Sequence, residues 1–489
     1  MMIGGFLAAF AICFLVVHYV KLLWIRRRFP SGPMPLPLIG SLWKVGWKIR
    51  QDTLMKLASS YGNVFTIWIG HVPLVVLSGF KTVHSGLTDH SEALSGRPMT
   101  LMIKVLGNGK GIMFSNGKTW KQQRQFGHSI LQKMMQGKKV LEHQIEEEAH
   151  QLVEAFAREK GQPLDPSLPI LHSVSKVICA LAFGQPHSME DEVCRKLTEH
   201  INILNKLGGS VGDIIFEILP SFMRHIIEPN KKVLSSCEDI RSFIRKEVEK
   251  HKKKEALPES QGYIDYYLAK MDKEKADHTS TFDEDNLVQA LLDLFAAGTD
   301  MISTTLLWAL LLMVAHPDIQ EKVQKELGSE LGFSKSICYG DWKKVPYTYA
   351  VVHEIQRFSN IVLFGLPKLS VDNMNVSGHF IPKETLVVPD LCSVLLDPKH
   401  WETPQQFNPN HFLDKHGNFT AREEFLPFGA GSRACLAEHI ARVELFVFFT
   451  SLLRAFTFQL PEGVKEVNTE PVVGSVMRPH PYKLCAVPH

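Results

Sequence analysis

The chain has no C-x-x-C pairs, no internal repeat and no large surplus of charge of either sign. Each absence removes a class of protein. Its eight cysteines (Cys13, Cys179, Cys194, Cys237, Cys338, Cys392, Cys435 and Cys485) are scattered. That spacing excludes zinc ribbons and a disulfide framework and implies reducing surroundings for the main body. No repeat of about 20–50 residues is visible, which excludes solenoids and propellers. Net charge is only +3 with basic residues spread along the chain, so nucleic acid is not expected as a partner. There is no His-Glu-x-x-His helix and no serine nucleophile elbow. Gly107-Asn108-Gly109-Lys110-Gly111 looks like a phosphate loop but lacks Gly-Lys-Ser/Thr after a strand. The sequons at Asn375 and Asn418 would stay unmodified on a cytosolic body.

What is present begins at the N-terminus. Between Met1 and Val20 the only residue that is not apolar, glycine or aromatic is His18, and Lys21, Arg26, Arg27 and Arg28 follow. About 20 apolar residues suffice to span a bilayer, and the basic flank places the rest of the chain in the cytosol. Residues 1–25 are therefore expected to be a single-pass signal anchor, here assigned to the endoplasmic reticulum. Four prolines between Pro30 and Pro37 cannot be helical, so residues 26–45 read as a basic, stiff hinge. Residues 46–489 remain as one large body, since 489 residues that are 45% apolar can bury a large core. Helical patterns dominate it: 141–160 is amphipathic, 284–315 is long and apolar and should be a buried central helix, and another helix starts at Ile319 beyond His316-Pro317. Short strands are expected at 64–69, 74–77 and 386–388 and near the C-terminus. The charge run 245–257 reads as a solvated helix end entering a surface loop. The fold class is mainly α with small β-sheets.

The most informative segment is Phe425-Leu426-Pro427-Phe428-Gly429-Ala430-Gly431-Ser432-Arg433-Ala434-Cys435, a glycine-rich loop expected to enter a helix from Leu436 to Phe458. A cysteine at a helix N-terminus meets free N–H groups and the positive end of the dipole, which favour a thiolate. Gly429 and Gly431 would let backbone approach a flat ligand, and Arg433 would offer its charge to a carboxylate. Glu354-Ile-Gln-Arg357 places two opposite charges on one helix face.

These segments resemble the cytochrome P-450 family. The loop matches Phe-x-x-Gly-x-Arg-x-Cys-x-Gly at Phe428, Gly431, Arg433 and Cys435 and departs at its last place, where Ala437 stands for glycine. Glu354 and Arg357 match Glu-x-x-Arg, with His411 as the third member, and Trp120 and Arg124 match Trp-x-x-x-Arg. Motif order agrees from about Phe29 to His489. The phrases at Val323–Glu326, Phe449–Leu452 and Leu484–Pro488 are similar to the vertebrate microsomal family 2, nearest subfamily J.

The resemblance implies the cytochrome P-450 fold, with haem b between the central helix and the Cys435 loop and Cys435 as the iron ligand. It implies Arg97, Trp120, Arg124, Lys368 and Arg433 as propionate contacts, and Ala297, Gly298, Phe428 and Gly431 against the macrocycle. Lys368 stands where relatives usually carry Arg or His. It also implies a monooxygenase fed by NADPH and flavins through NADPH-cytochrome P-450 reductase, with cytochrome b5 as a second donor. Lys118, Lys121, Lys133, Lys138 and Lys139 mark a face that would steer an acidic flavoprotein. Substrate walls are expected at Phe114 within 99–114, at 201–216, at Leu292, Phe295, Ala296, Ala297 and Met301, at Val362 to Leu366, and at Val476 within 473–477. Their apolar character suits fatty acids such as arachidonate, steroids or xenobiotics. Residues 214–227 would dip into the bilayer.

The distal side departs from the family. Where relatives usually read Ala-Gly-x-Asp/Glu-Thr, this chain reads Ala297-Gly298-Thr299-Asp300-Met301. Asp300 keeps the acid, but a thioether accepts weakly and donates nothing. Three readings follow: a monooxygenase relaying protons by water with Thr304 or Thr305, a fatty-acid hydroperoxide isomerase needing neither O2 nor reductase, or a haem protein of low turnover.

Overall fold

The computed structural model describes residues 2–46, 51–136, 140–184, 231–253, 262–332, 336–474 and 476–489. The expected walls at 201–216, the membrane-dipping stretch 214–227, Lys138 and Lys139 lie outside the described residues.

The helix Glu284–Ala315 organises the body. It starts where Asp283 accepts the N–H of Asn286 at 2.7 Å, with Glu284 and Asp285 in the first turn, the usual polar and electrostatic cap. It stops at His316 because Pro317 opens the next helix, Pro317–Leu331. It is long and apolar enough to cross a membrane but is mostly buried, so it is a core helix. Around it pack Val140–Arg158, Ser167–Phe183, Pro346–Ser359 and Glu438–Ala455, which share one large apolar core. Gly298 lets Ser167–Phe183 approach closely: a Cβ there would lie 2.6 Å from Ile178 Cδ1. The expected helix 436–458 is shorter at both ends. Leu436 and Ala437 form a turn, and Phe456–Gln459 is a strand because Phe456 and Phe458 alternate inward against the C-terminal strand Cys485–Pro488.

The sheets are small. Strands β1 (Val64–Ile69) and β2 (Val72–Leu77) form a hairpin. They are followed by β3 (Lys368–Leu369), β4 (Met374–Val376), β5 (His379–Ile381) and β6 (Leu386–Pro389), and towards the C-terminus by β7 (Phe456–Gln459), β8 (Pro471–Val472), β9 (Arg478–Pro479) and β10 (Cys485–Pro488). The largest sheet runs β1-β2-β6-β3, with β6 parallel to β2 and antiparallel to β3. This brings Lys368 beside the N-terminal half of the chain.

Met2–Arg26 is one helix whose Phe6, Phe10, Phe14, Val17 and Trp24 are exposed. The proline segment after it is non-helical and docks on the body. Ser31 O accepts from Thr66 N at 3.0 Å, Met34 O accepts from Trp43 Nε1 at 2.9 Å, and Phe29 meets Trp68 edge-on at 5.6 Å.

Candidate active site

The Cys435 loop is closed by its own backbone: the Cys435 N–H donates to Phe428 O at 2.9 Å, and Gly431–Arg433 forms a 3-10 turn. Gly431 has φ +73°, and a Cβ there would collide with the Leu87 carbonyl. Its glycine thus serves the seating of the loop on the Phe80–Thr88 helix. Gly429, φ +72°, has open space at its Cβ position. Ala437 has φ −106°, so alanine fits without strain in place of the family's glycine. Its methyl packs against the large core, while its backbone N–H donates to Cys435.

Cys435 is accessible, yet burial is the largest influence on its thiol and raises its pKa. An accessible side chain in so deep a position faces an interior opening rather than outer solvent. The Ala437 N–H, Arg124 and Arg442 pull the other way, toward thiolate, while Glu438 opposes them.

Beside this sulfur lies a group of cations. Arg433 Nε and Nη2 donate to the carbonyls of Ser95 (2.8 Å) and Ser115 (2.7 Å), and its guanidinium lies 4.0 Å over the Trp120 ring. Arg97 donates to the carbonyls of Met113, Leu366 and Pro367, and Arg124 to that of Ala434 at 2.8 Å. Lys368 is buried on β3. Among the described residues none of the four has a carboxylate within ion-pair distance. Burial and mutual repulsion push Arg97 down to about 10, Arg433 to about 8 and Lys368 to about 7. The buried Trp120 Nε1 also has no hydrogen-bond partner among the described residues. So much uncompensated positive charge, with an orphaned donor, calls for an anion with several acceptor oxygens. Two carboxylates on one flat group, as in haem b, meet that demand, and the soft sulfur beside them suits its iron. The residues present fit the cofactor.

The central helix contributes a second accessible surface. Leu294, Ala297, Gly298 and Met301 are half-buried in a helix whose other residues are mostly buried, and their i, i+3, i+4, i+7 spacing makes one stripe. Ala296 is half-buried too, off that stripe. Leu292 and Phe295, expected as substrate walls, are buried in an apolar cluster, where the Phe295 ring lies tilted 5.5 Å from that of Phe183, and they lie off that stripe. Phe114 and Val362 are half-buried, Leu366 is exposed and Val476 is buried. Phe428 is half-buried under Arg442, at 5.0 Å.

Asp300 is buried and ion-paired with Arg478. Thr304 is buried with no hydrogen-bond partner for its hydroxyl among the described residues, whereas Thr305 donates to Met301 O at 2.9 Å. Two residues in this region were not anticipated. Arg478 follows the expected wall 473–477, and an unexplained cation in that apolar tail was the available signal. Asp293 accepts the N–H groups of Ile112 (2.7 Å) and Met113 (2.8 Å) and so anchors the Phe114 segment to the central helix. Burial holds its carboxyl up at about 6.

The expected brace is present. Glu354 and Arg357 are paired at 2.7 Å with both side chains fully buried, and His411 Nδ1 lies 3.2 Å from Glu354.

A family model described as cytochrome P450 matches residues 30–486. Cytochrome P-450 2J5 of Mus musculus is 37% identical over 94% of this chain and 92% of its own length. Cytochrome P-450 2J2 of Homo sapiens is 36% identical over 95% and 92%, and cytochrome P-450 2B4 of Oryctolagus cuniculus is 38% identical over 91% and 90%.

Proposed function

The chain belongs to the cytochrome P-450 family, and from that membership and the interior geometry we propose a monooxygenase that oxidises lipophilic molecules at haem b with electrons from NADPH. The observation that carries this reading is the deep yet accessible Cys435 sulfur beside four cations with no ion-pairing carboxylate among the described residues. Haem held by the Cys435 thiolate would supply the oxygen-activating chemistry. Cys435 would hold the iron, its charge steadied by the Ala437 N–H. Arg97, Arg124, Arg433, Lys368 and Trp120 Nε1 would hold the two propionates.

On the central helix the accessible stripe would form the wall over the macrocycle, with Ala297 and Met301 toward substrate. Asp300 and Thr304 are the groups able to hold or pass a proton, and Met301 adds none. Oxygen activation is therefore expected to lose part of its yield as peroxide. The wall is apolar, which suits fatty acids first, then steroids and xenobiotics. A reductase would dock near Lys118, Lys121 and Lys133. Lys121 already pairs with Glu92 at 2.8 Å on the surface, so its steering would be weak and salt-sensitive. The exposed helix Met2–Arg26, about 38 Å long at 1.5 Å per residue, would anchor the protein in the endoplasmic reticulum membrane with the body in the cytosol.

The decisive experiment is a reduced, carbon-monoxide-bound spectrum followed by paired assays. One supplies arachidonate with NADPH and reductase, the other a fatty-acid hydroperoxide alone. Turnover only in the second would overturn the monooxygenase reading in favour of a peroxide isomerase, and turnover in neither would leave a binding protein. Peroxide released per NADPH should fall in Met301→Thr; equal release in both proteins would refute the role assigned to Met301.

A further inference from the structure

The Asp300–Arg478 pair joins the central helix to the C-terminal hairpin of β8 (Pro471–Val472) and β9 (Arg478–Pro479). Asp300, Thr304 and Trp308 recur every four residues and form one ridge along the helix. The ridge flanks the accessible stripe that contains Ala297 and Met301. The hairpin is fixed over it: Trp308 Nε1 donates to Met477 O at 2.8 Å, and the Met477 N–H donates to Ile361 O at 2.8 Å. From that anchored strand Arg478 reaches back along the ridge to Asp300.

The two partners differ in surroundings. The Asp300 side chain is 3% accessible and that of Arg478 is 33%. Asp300 is the only hydrogen-bond or ion-pair partner of Arg478 among the described residues. A guanidinium has five N–H donors in a planar fork, so most of the donors of Arg478 are open. Arg478 follows the buried Val476 and Met477 in the chain, and Met301, which follows Asp300, is half-buried, so the pair's neighbours in sequence are apolar. A part-accessible cation with open donors among apolar residues is suited to a carboxylate at the end of an apolar chain.

We propose that Arg478 is an anion-binding residue that takes the carboxylate head of a lipophilic substrate and shares its charge between that head and Asp300. This rests on the lipophilic-substrate reading above and sharpens it to amphiphilic acids. Asp300 then has two effects: it holds the guanidinium in place, and its negative charge opposes the incoming carboxylate. Removing only its charge should strengthen the binding of acids.

The test is equilibrium binding to the full-length haem protein, read from the Soret shift and from ligand-dependent thermal stability, with lauric acid and methyl laurate as probes. The wild type should favour the acid by about tenfold, the weight of one charge-assisted hydrogen bond. Arg478→Gln should lose that preference while binding the ester as before, and Arg478→Lys should keep part of it. Asp300→Asn should bind the acid several-fold more tightly with ester affinity unchanged, a gain that mere structural damage would not produce. Equal affinity for acid and ester in the wild type, or a preference that survives in Arg478→Gln, would overturn the anchor and leave the lipophilic-substrate reading standing. No response to acid, to ester or to a neutral steroid would sink that broader reading, and the anchor with it.

Discussion

Removing the Arg357 guanidinium should be among the most damaging single changes in the body. Its Nε and Nη2 each donate to Glu354 at 2.7 Å, and its remaining hydrogen bonds reach the carbonyls of Leu395 (2.9 Å), Pro404 (3.0 Å) and Gln406 (2.9 Å). One side chain thus ties the Pro346–Ser359 helix to the end of the short helix Cys392–Leu395 and to the loop 404–406. In Arg357→Ala the fully buried Glu354 would keep only the Asn408 N–H at 2.8 Å and His411. Breaking a buried pair costs about 3–5 kcal/mol because a charge is left uncompensated. Of the abandoned carbonyls, those of Pro404 and Gln406 lie in a part-exposed loop and can recruit water while that of the buried Leu395 cannot readily do so, so the middle of that range, about 4 kcal/mol, is expected. Urea unfolding followed by far-UV circular dichroism measures it. The double variant Glu354→Leu/Arg357→Met should recover at least about 2 kcal/mol relative to the sum of its single variants, since it buries no charge. A single-variant loss below about 1 kcal/mol, or strict additivity in the double, would refute the reasoning.

Three further outcomes are expected. Glu444 is buried with one carboxyl oxygen lacking a partner among the described residues, and its pKa is pushed up to about 8, whereas an unfolded glutamate titrates at about 4.3. Between those values the folded state keeps a proton that the unfolded state releases, so stability falls as pH rises; Glu444→Gln should flatten that slope in urea midpoints taken from pH 5 to 8. Trp120→Phe keeps a ring under Arg433 but removes the orphaned N–H, and should speed haem transfer to excess apomyoglobin several-fold, the weight of about 1 kcal/mol; an unchanged rate would remove Trp120 from the propionate site. Gly431→Ala forces a side chain onto φ +73° and into the Leu87 carbonyl, costing about 1–3 kcal/mol of backbone strain before the clash is counted; the ratio of Soret to protein absorbance should drop.

The parts of the fold legible in the sequence are those with local signals. The central helix ends where expected because Asp283 caps it and Pro317 terminates it. The strands 64–69 and 386–388 and the helix 141–160 carry patterns strong enough to survive in context. The Glu438–Ala455 helix stops short of the expected Phe458 although Phe456 and Phe458 suit a helix equally well; only pairing with Cys485–Pro488, further along the chain, makes them a strand. In the site, loop and brace residues were legible through spacing. Leu292 and Phe295 were not distinguishable from stripe residues, since the rotation of a helix within a bundle depends on its neighbours, here Phe183 and Ile178. Arg478 escaped for a similar reason: its partner is 178 residues away, and no local pattern announces such a pairing.

The docked proline segment sets a limit on how the chain can be shortened. A form that starts at Arg27 removes the apolar helix yet keeps Phe29 on Trp68 and the Ser31 carbonyl that serves the N–H of Thr66 on β1. Gly32 lies so close to the Thr66 carbonyl that no side chain fits there, so a tag or linker cannot be threaded through that position either. A cut at Leu36 would leave β1 with an uncovered edge donor and expose Trp68, inviting one molecule to pair with the next. The practical border of the catalytic body thus lies before Phe29, not at the end of the proline run.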